Sequence, residues 1–457
     1  MKKLLSLILF SAFATLMVAQ TYEVETIHES PAGSKGLNIV VLSEGYTANQ
    51  MSRFRRESEA LADSFFSHRP WKEYKDYINF YRVPVASNKT GAGLTPDKPI
   101  DNVYGTCFGT SGVDRMPWPT NWNKVYEVLN ATVPSHDMVI IFINMNKYGG
   151  GGGSGFVCMS NFRSGYWVND YFQTMIHEAG HALGDLADEY WYDGRERPNQ
   201  TKVSDPERVK WKNWLDLDGI GIYPYEESPS WYRPHQNCQM RYLGQRYCNV
   251  CLEALVEKIH QKVSPLVGFE PENKTRINMD PSTEQATFKL HLITPKPNSI
   301  KVIWKIDGQT IEGQEDTLFT VDFSTLENPS STHLLTARIE DQSPYLLVDN
   351  HDKKHYTTVT WRFSKEEETD AIQVVEAEED EFVVHPLPFS DHLTVERRNS
   401  NESFSTRIID MEGKILSEAT GHETVTINTN DLPRGIYIIQ TVVRGQVVIS
   451  QKVMKVF

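Results

Sequence analysis

His177-Glu178-Ala179-Gly180-His181-Ala182-Leu183-Gly184-Asp185-Leu186-Ala187-Asp188-Glu189-Tyr190 is the stretch that decides how this chain is read. It opens as H-E-x-x-H. On a helix, residues four apart share a face, so both imidazoles reach one zinc ion. The glutamate beside the first histidine can then act as base for an attacking water. Tyr171 to Leu183 is expected to be that helix. Phe172, Met175, Ile176 and Ala179 give it a core-facing side, no proline interrupts it, and Gly184 is the expected stop. The competing reading is an amphipathic helix with two structural histidines. The glycine stop and the acids after it favour the metal.

Composition sets the surroundings. A chain of 457 residues is too long for one ordinary domain. With 46 basic and 60 acidic residues it carries a net charge of -14, which argues against nucleic acid, whose recognition needs a basic surface. Residues 1–19 read as a signal peptide: Lys2 and Lys3 give a positive start, Leu4 to Val18 is apolar, and Ala19-Gln20 offers a cleavage point. Beyond it no apolar run is long enough to span a bilayer, so the mature protein is expected to have no transmembrane span. Five cysteines follow, at 107, 158, 238, 248 and 251. In an exported protein the expectation is a structural disulfide involving Cys238. Cys248-x-x-Cys251 has no second such pair and runs into an amphipathic helix, so a zinc ribbon or redox pair is the lesser reading.

Residues 20–35 form a lead-in, and 36–265 alternate strand and helix patterns. Leu37 to Leu42, Asn79 to Val85 and Met138 to Ile143 read as strands; Gln50 to Phe66 and Lys124 to Asn130 read as helices. This is an α/β pattern, a mostly parallel sheet with helices packed on it. Gly149 to Gly153 lacks the Gly-Lys-Ser/Thr ending of a phosphate loop, which excludes nucleotide binding there. Glycines near strands mark a bulge or a close approach of another backbone, against the alternative of a loose surface loop. From 269 to 364 short alternating strands, with Asp307-Gly308 as a hairpin turn, predict an immunoglobulin-like sandwich. Residues 365–382 read as an acidic linker. Residues 383–457 are all-β again.

That last segment contains Pro386-Leu387-Pro388-Phe389-Ser390, Ile408 to Lys414, Leu432-Pro433-Arg434-Gly435-Ile436-Tyr437 and a lysine-bearing end at Lys452 to Phe457. It resembles the C-terminal sorting domain of the type IX secretion system, with Leu387 where that family has Asn. The resemblance implies the type IX machinery as a partner, and a secreted or cell-surface location.

A catalytic zinc takes three protein ligands and keeps one position open. His177 and His181 supply two. The motif resembles that of the metzincins, H-E-x-x-H-x-x-G-x-x-H, in which the third ligand would fall at Ala187. Alanine cannot bind a metal. Asp185 comes too early, and Asp188, one residue past the slot, is the expected ligand. Glu189 remains the alternative, as ligand or as partner of a ligating histidine. Metzincins also carry a methionine turn, which Met240 fits, and some place a tyrosine two residues later, which Tyr242 fits as an oxyanion donor. Together with Cys248-x-x-Cys251 and the opening Asn38 to Thr47, these residues resemble the IgA-peptidase family of metallopeptidases. The resemblance implies a zincin fold over 36–265 and hydrolysis of protein or peptide substrates, with Glu178 as general base. It does not imply immunoglobulin A as the substrate. The expected architecture is thus a metzincin-like α/β catalytic domain followed by two all-β sandwiches. The competing functions are a surface-binding protein with a silent zincin fold, and a zinc hydrolase acting on peptidoglycan peptides.

Overall fold

The structure is a computed structural model and describes residues 21–456 apart from 111, 166–169, 273–275, 281, 350–353, 366–381, 399–402, 411–413 and 444–445. The expected signal peptide and nearly all of the expected acidic linker lie outside the described residues. The chain is β-rich, and its four described α-helices all fall between residues 51 and 262. It divides into two compact units, one up to Glu367 and one from Glu368.

In the first unit a six-stranded sheet carries the site. Its strands are β1 (Glu25–His28), β2 (Leu37–Glu44), β3 (Ile78–Val83), β4 (Met138–Ile143), β5 (Gly150–Gly153) and β6 (Phe156–Ser160), in the order β1-β3-β2-β4-β6-β5. The inner pairs are parallel, and the two edge strands β1 and β5 run antiparallel to their neighbours. Four helices join it: α1 (Met51–Phe65), α2 (Trp122–Thr132), α3 (Tyr171–Gly184) and α4 (Asn249–Lys262). Both faces of the sheet are covered, which explains the unbroken apolar run in β2. Ile39 and Val41 pack with Phe54, Leu61, Met175 and Leu255 of α1, α3 and α4. Val40 and Leu42 point the other way, to Val125, Val128 and Leu129 of α2.

The same unit includes a β-sandwich. Leu266–Glu270, Gln285–Leu292 and Leu318–Asp322 form one sheet; Ile277–Met279, Tyr356–Lys365, His333–Asp341, Ile300–Ile306 and Gln309–Thr310 form the other. Stacked Trp304 and Trp361, with Phe288 and Phe363, fill the space between them. Asp307 and Gly308 both take positive φ at the hairpin turn. The sandwich is joined to the helical part through Asp341, which accepts hydrogen bonds from the Tyr74 hydroxyl at 2.6 Å and from Ser299 at 2.6 Å, and pairs with His260 at 2.7 Å. Burial alone would raise the Asp341 pKa, but His260, Ser299 and Tyr74 hold it below the usual carboxylate value.

The second unit also contains two sheets, Phe382–His385, His392–Arg397 and Thr424–Asn428 against Ile415–Gly421, Phe404–Ile409, Gly435–Val443 and Gln446–Lys455. Phe389, Leu393, Phe404, Ile408, Ile427 and Ile439 are buried between them.

Two sequence expectations are corrected. The five cysteines are all unpaired and buried, so no disulfide involves Cys238. Gly184 is the last helical residue, and the left-handed cap that stops the helix is Asp185, at φ 52°.

Candidate metal centre

Helix α3 presents His177 and His181 one turn apart, their rings 4.9 Å between centroids. Each Nδ1 faces a backbone carbonyl: His177 that of Gln239 at 2.9 Å, His181 that of Leu186 at 2.7 Å. A carbonyl only accepts, so each Nδ1 carries the proton and each Nε2 offers a lone pair. The two Nε2 atoms lie 3.2 Å apart. Asp188 Oδ1 joins them, 3.0 Å from His177 Nε2 and 3.2 Å from His181 Nε2. Three acceptor atoms thus converge on one point, an arrangement that a cation or shared protons must compensate. The donor set fits a divalent metal such as zinc.

The same convergence shifts the titration of all three groups. Burial alone would lower the His181 pKa, but the hydrogen bond and charge of Asp188 push it up to about 9. His177 is raised on the same balance. Burial would raise Asp188, yet its two histidine partners hold it well below the usual carboxylate range.

The segment that carries Asp188 is pinned on several sides. Asn199 brackets Ala187, accepting from its N–H at 2.7 Å and donating to its carbonyl at 2.9 Å. The Tyr225 hydroxyl donates to the Asp188 carbonyl at 2.9 Å. Glu189 turns the other way. It is fully buried, faces the cysteines, and donates its N–H to the Met240 carbonyl at 2.8 Å. Met240 lies under α3: a Cβ on Gly180 would sit 2.6 Å from its sulfur.

The three convergent residues open onto a cleft of about 860 Å³, lined also by Glu178, Gly150 to Gly153, Arg115 and Tyr190. The glycine run, read as a loop or a close approach, is the edge strand β5. It presses on α3 so tightly that a Cβ on Gly152 would meet the Glu178 carbonyl oxygen at 2.5 Å. Tyr242 is not brought to the cleft. It is 50% exposed, with Arg241 over its ring. Tyr190 stands there instead, its ring stacked 6.2 Å from His177 and its hydroxyl accepting from Arg115 at 3.2 Å. Burial first, then the Asp188 charge, pushes the Tyr190 pKa up to about 12. Tyr190 closes the motif and was legible as a neighbour; Arg115, far away in sequence, gave no signal.

Residues 25–227 match the family described as IgA Peptidase M64, and residues 383–456 match a secretion system C-terminal sorting domain. The M64 match supports a peptidase over residues 25–227. M64 peptidases are metallopeptidases, in keeping with the convergent donors on α3. The sorting-domain match supports export by the type IX machinery, and no helix among the described residues is long and apolar enough to cross a membrane. The M64 match stops short of Cys238, Met240 and α4. No curated protein matches the chain. Among solved structures, chicken CNTN1 FN1-FN3 domains share 12% identity at a TM-score of 0.14, covering 39% of this chain and 62% of that one. A biofilm-associated protein BSP domain shares 12% at 0.15, covering 39% and 28%, and Sidekick-1 immunoglobulin domains 1-5 share 16% at 0.15, covering 41% and 39%. The chain spans less than two thirds of each of these, and at such scores the likenesses carry no argument about the fold.

Proposed function

We propose that the chain is an exported, zinc-dependent endopeptidase with a metzincin-like catalytic domain, acting on protein substrates. One observation carries the reading: Nε2 of His177, Nε2 of His181 and Oδ1 of Asp188 converge beside Glu178 in a cleft walled by an edge strand. His177, His181 and Asp188 are the residues that would hold the ion. A bound zinc would supply Lewis-acid polarisation of water and of the scissile carbonyl.

The remaining work falls to the chain. Strand β5 is last in its sheet, so its outer N–H and C=O groups are available to an extended peptide, which would add as a further strand. Without side chains on β5, the substrate backbone can approach α3 closely. Glu178 takes the proton of the attacking water and passes it to the leaving amine. Its carboxylate faces β5, since a Cβ on Gly152 would lie 3.0 Å from its Oε2. Tyr190, kept protonated by its raised pKa, donates its hydroxyl to the oxyanion, with Arg115 fixing its position. It takes the role expected of Tyr242.

The test is Glu178→Gln in the full chain. The variant should keep the zinc stoichiometry and thermal stability of the wild type while cleaving a denatured protein at least ~10²-fold more slowly. Near-normal cleavage by this variant would overturn the reading, as would a zinc-loaded wild type that cleaves no peptide in a broad library.

A further inference from the structure

Behind Asp188 lies a second cluster that the peptidase reading does not use. Cys238, Cys248, Cys251 and Glu189 are all buried, and one ligand atom from each lies within 4.8 Å of every other. Cys248 caps the N-terminus of α4, and Cys251 sits in its first turn. Cys238 comes from the turn before Gln239 and Met240. The Sγ atoms of Cys238 and Cys251 are 3.7 Å apart, and Glu189 Oε1 is 3.4 Å from the Cys251 Sγ. The backbone N–H groups of Cys248 and Met240 point at the Cys238 sulfur, at 3.3 and 3.5 Å. Glu189 Oε1 accepts from Asn199 at 3.1 Å, but Oε2 is buried with no hydrogen-bond partner among the described residues.

We propose that Cys238, Cys248, Cys251 and Glu189 form a second, closed metal site that holds a structural zinc ion. Three sulfurs and one carboxylate oxygen make a four-donor shell with no position left for water, the arrangement of structural rather than catalytic zinc. The soft thiolates select zinc over calcium or magnesium. N–H groups directed at a sulfur and the start of a helix both favour thiolate over thiol. On binding, the three thiols release their protons, and the unpartnered carboxylate oxygen gains a counter-charge. A disulfide between two of the cysteines would satisfy neither the third thiol nor Glu189.

The site explains how the segment after α3 delivers Asp188. Glu189 is bound on one side of the backbone and Asp188 points to the histidines on the other. Cys238 is followed by Gln239, whose carbonyl orients His177, and by Met240 under α3. One ion therefore clips three supports of the catalytic cluster to α4. This inference stands on the cysteine cluster alone and does not depend on the peptidase activity.

The experiment uses the full chain, purified without reductant and analysed for metal. Wild type should hold two zinc ions. The double variant His177→Ala/His181→Ala should lose one and Cys251→Ser the other. If Cys251→Ser does not fold, the reading rests on the cobalt-substituted wild type, which should show strong near-ultraviolet thiolate-to-cobalt absorption that the double histidine variant retains. Alkylation after denaturation should modify all five thiols. A single zinc lost with the histidines, a cobalt protein without thiolate absorption, or a mass showing a disulfide among Cys238, Cys248 and Cys251 would overturn it.

Discussion

Asp188 and Glu189 are neighbours in the chain and belong to opposite kinds of cluster. The Asp188 side chain is 28% exposed and shares its point of convergence with two histidines at the floor of a cleft. Glu189 is fully buried among three cysteines. The first set has three donors and room for a fourth occupant; the second has four donors and none. Openness, more than donor chemistry, divides a centre that can bind water and substrate from one that can only stiffen the fold. The backbone bends at Glu189, so the two consecutive side chains leave it in different directions.

The strongest way to break the comparison is selective chelation. A mild chelator should empty the open cluster first, abolish cleavage, and leave the thiolate-bound ion and the fold intact; zinc should then restore activity. Metal analysis and circular dichroism during titration check this. Loss of both ions in one step, together with unfolding, would show that the two clusters do not bind independently.

The next effect is on the open side alone. Tyr190→Phe should lower kcat by about 10²-fold, the usual cost of one oxyanion donor, with KM nearly unchanged. Tyr242→Phe, at an exposed position, should change stability by no more than ~0.5 kcal/mol and leave kcat as it is. Equal losses in the two variants would return Tyr242 to the mechanism.

The smallest effect sharpens the contrast from outside both clusters. Asp341→Asn removes the carboxylate that joins the sandwich to Tyr74 and His260. It should cost about 1–3 kcal/mol of stability at neutral pH without releasing either ion. The folded-state pKa of Asp341 is depressed, so its stabilising contribution is present above the unfolded value and lost as pH falls through the folded one. Wild type should therefore lose stability below about pH 4 more steeply than the variant. Metal loss in Asp341→Asn would mean that the sandwich junction and the clusters are coupled.

The sequence by itself determined the helix that carries His177, Glu178 and His181, the apolar strands beneath it, and the all-β character of both later segments. Each of these follows from local periodicity: donors four apart on a helix, unbroken apolar runs in strands covered on both faces, alternation in sandwiches. The sorting tail was legible through its resemblance to a known family, carried by short motifs in fixed order. Tertiary structure alone decided what depends on the direction in which a residue leaves the backbone. Spacing left Asp188 and Glu189 open as ligands, and only the fold turned one to the histidines and the other to the cysteines. It also put Tyr190 where Tyr242 had been expected, made the glycine run a strand pressed against α3, and gathered Cys238 with a Cys-x-x-Cys ten residues away without a disulfide. Those facts arise from contacts between segments that no local pattern encodes.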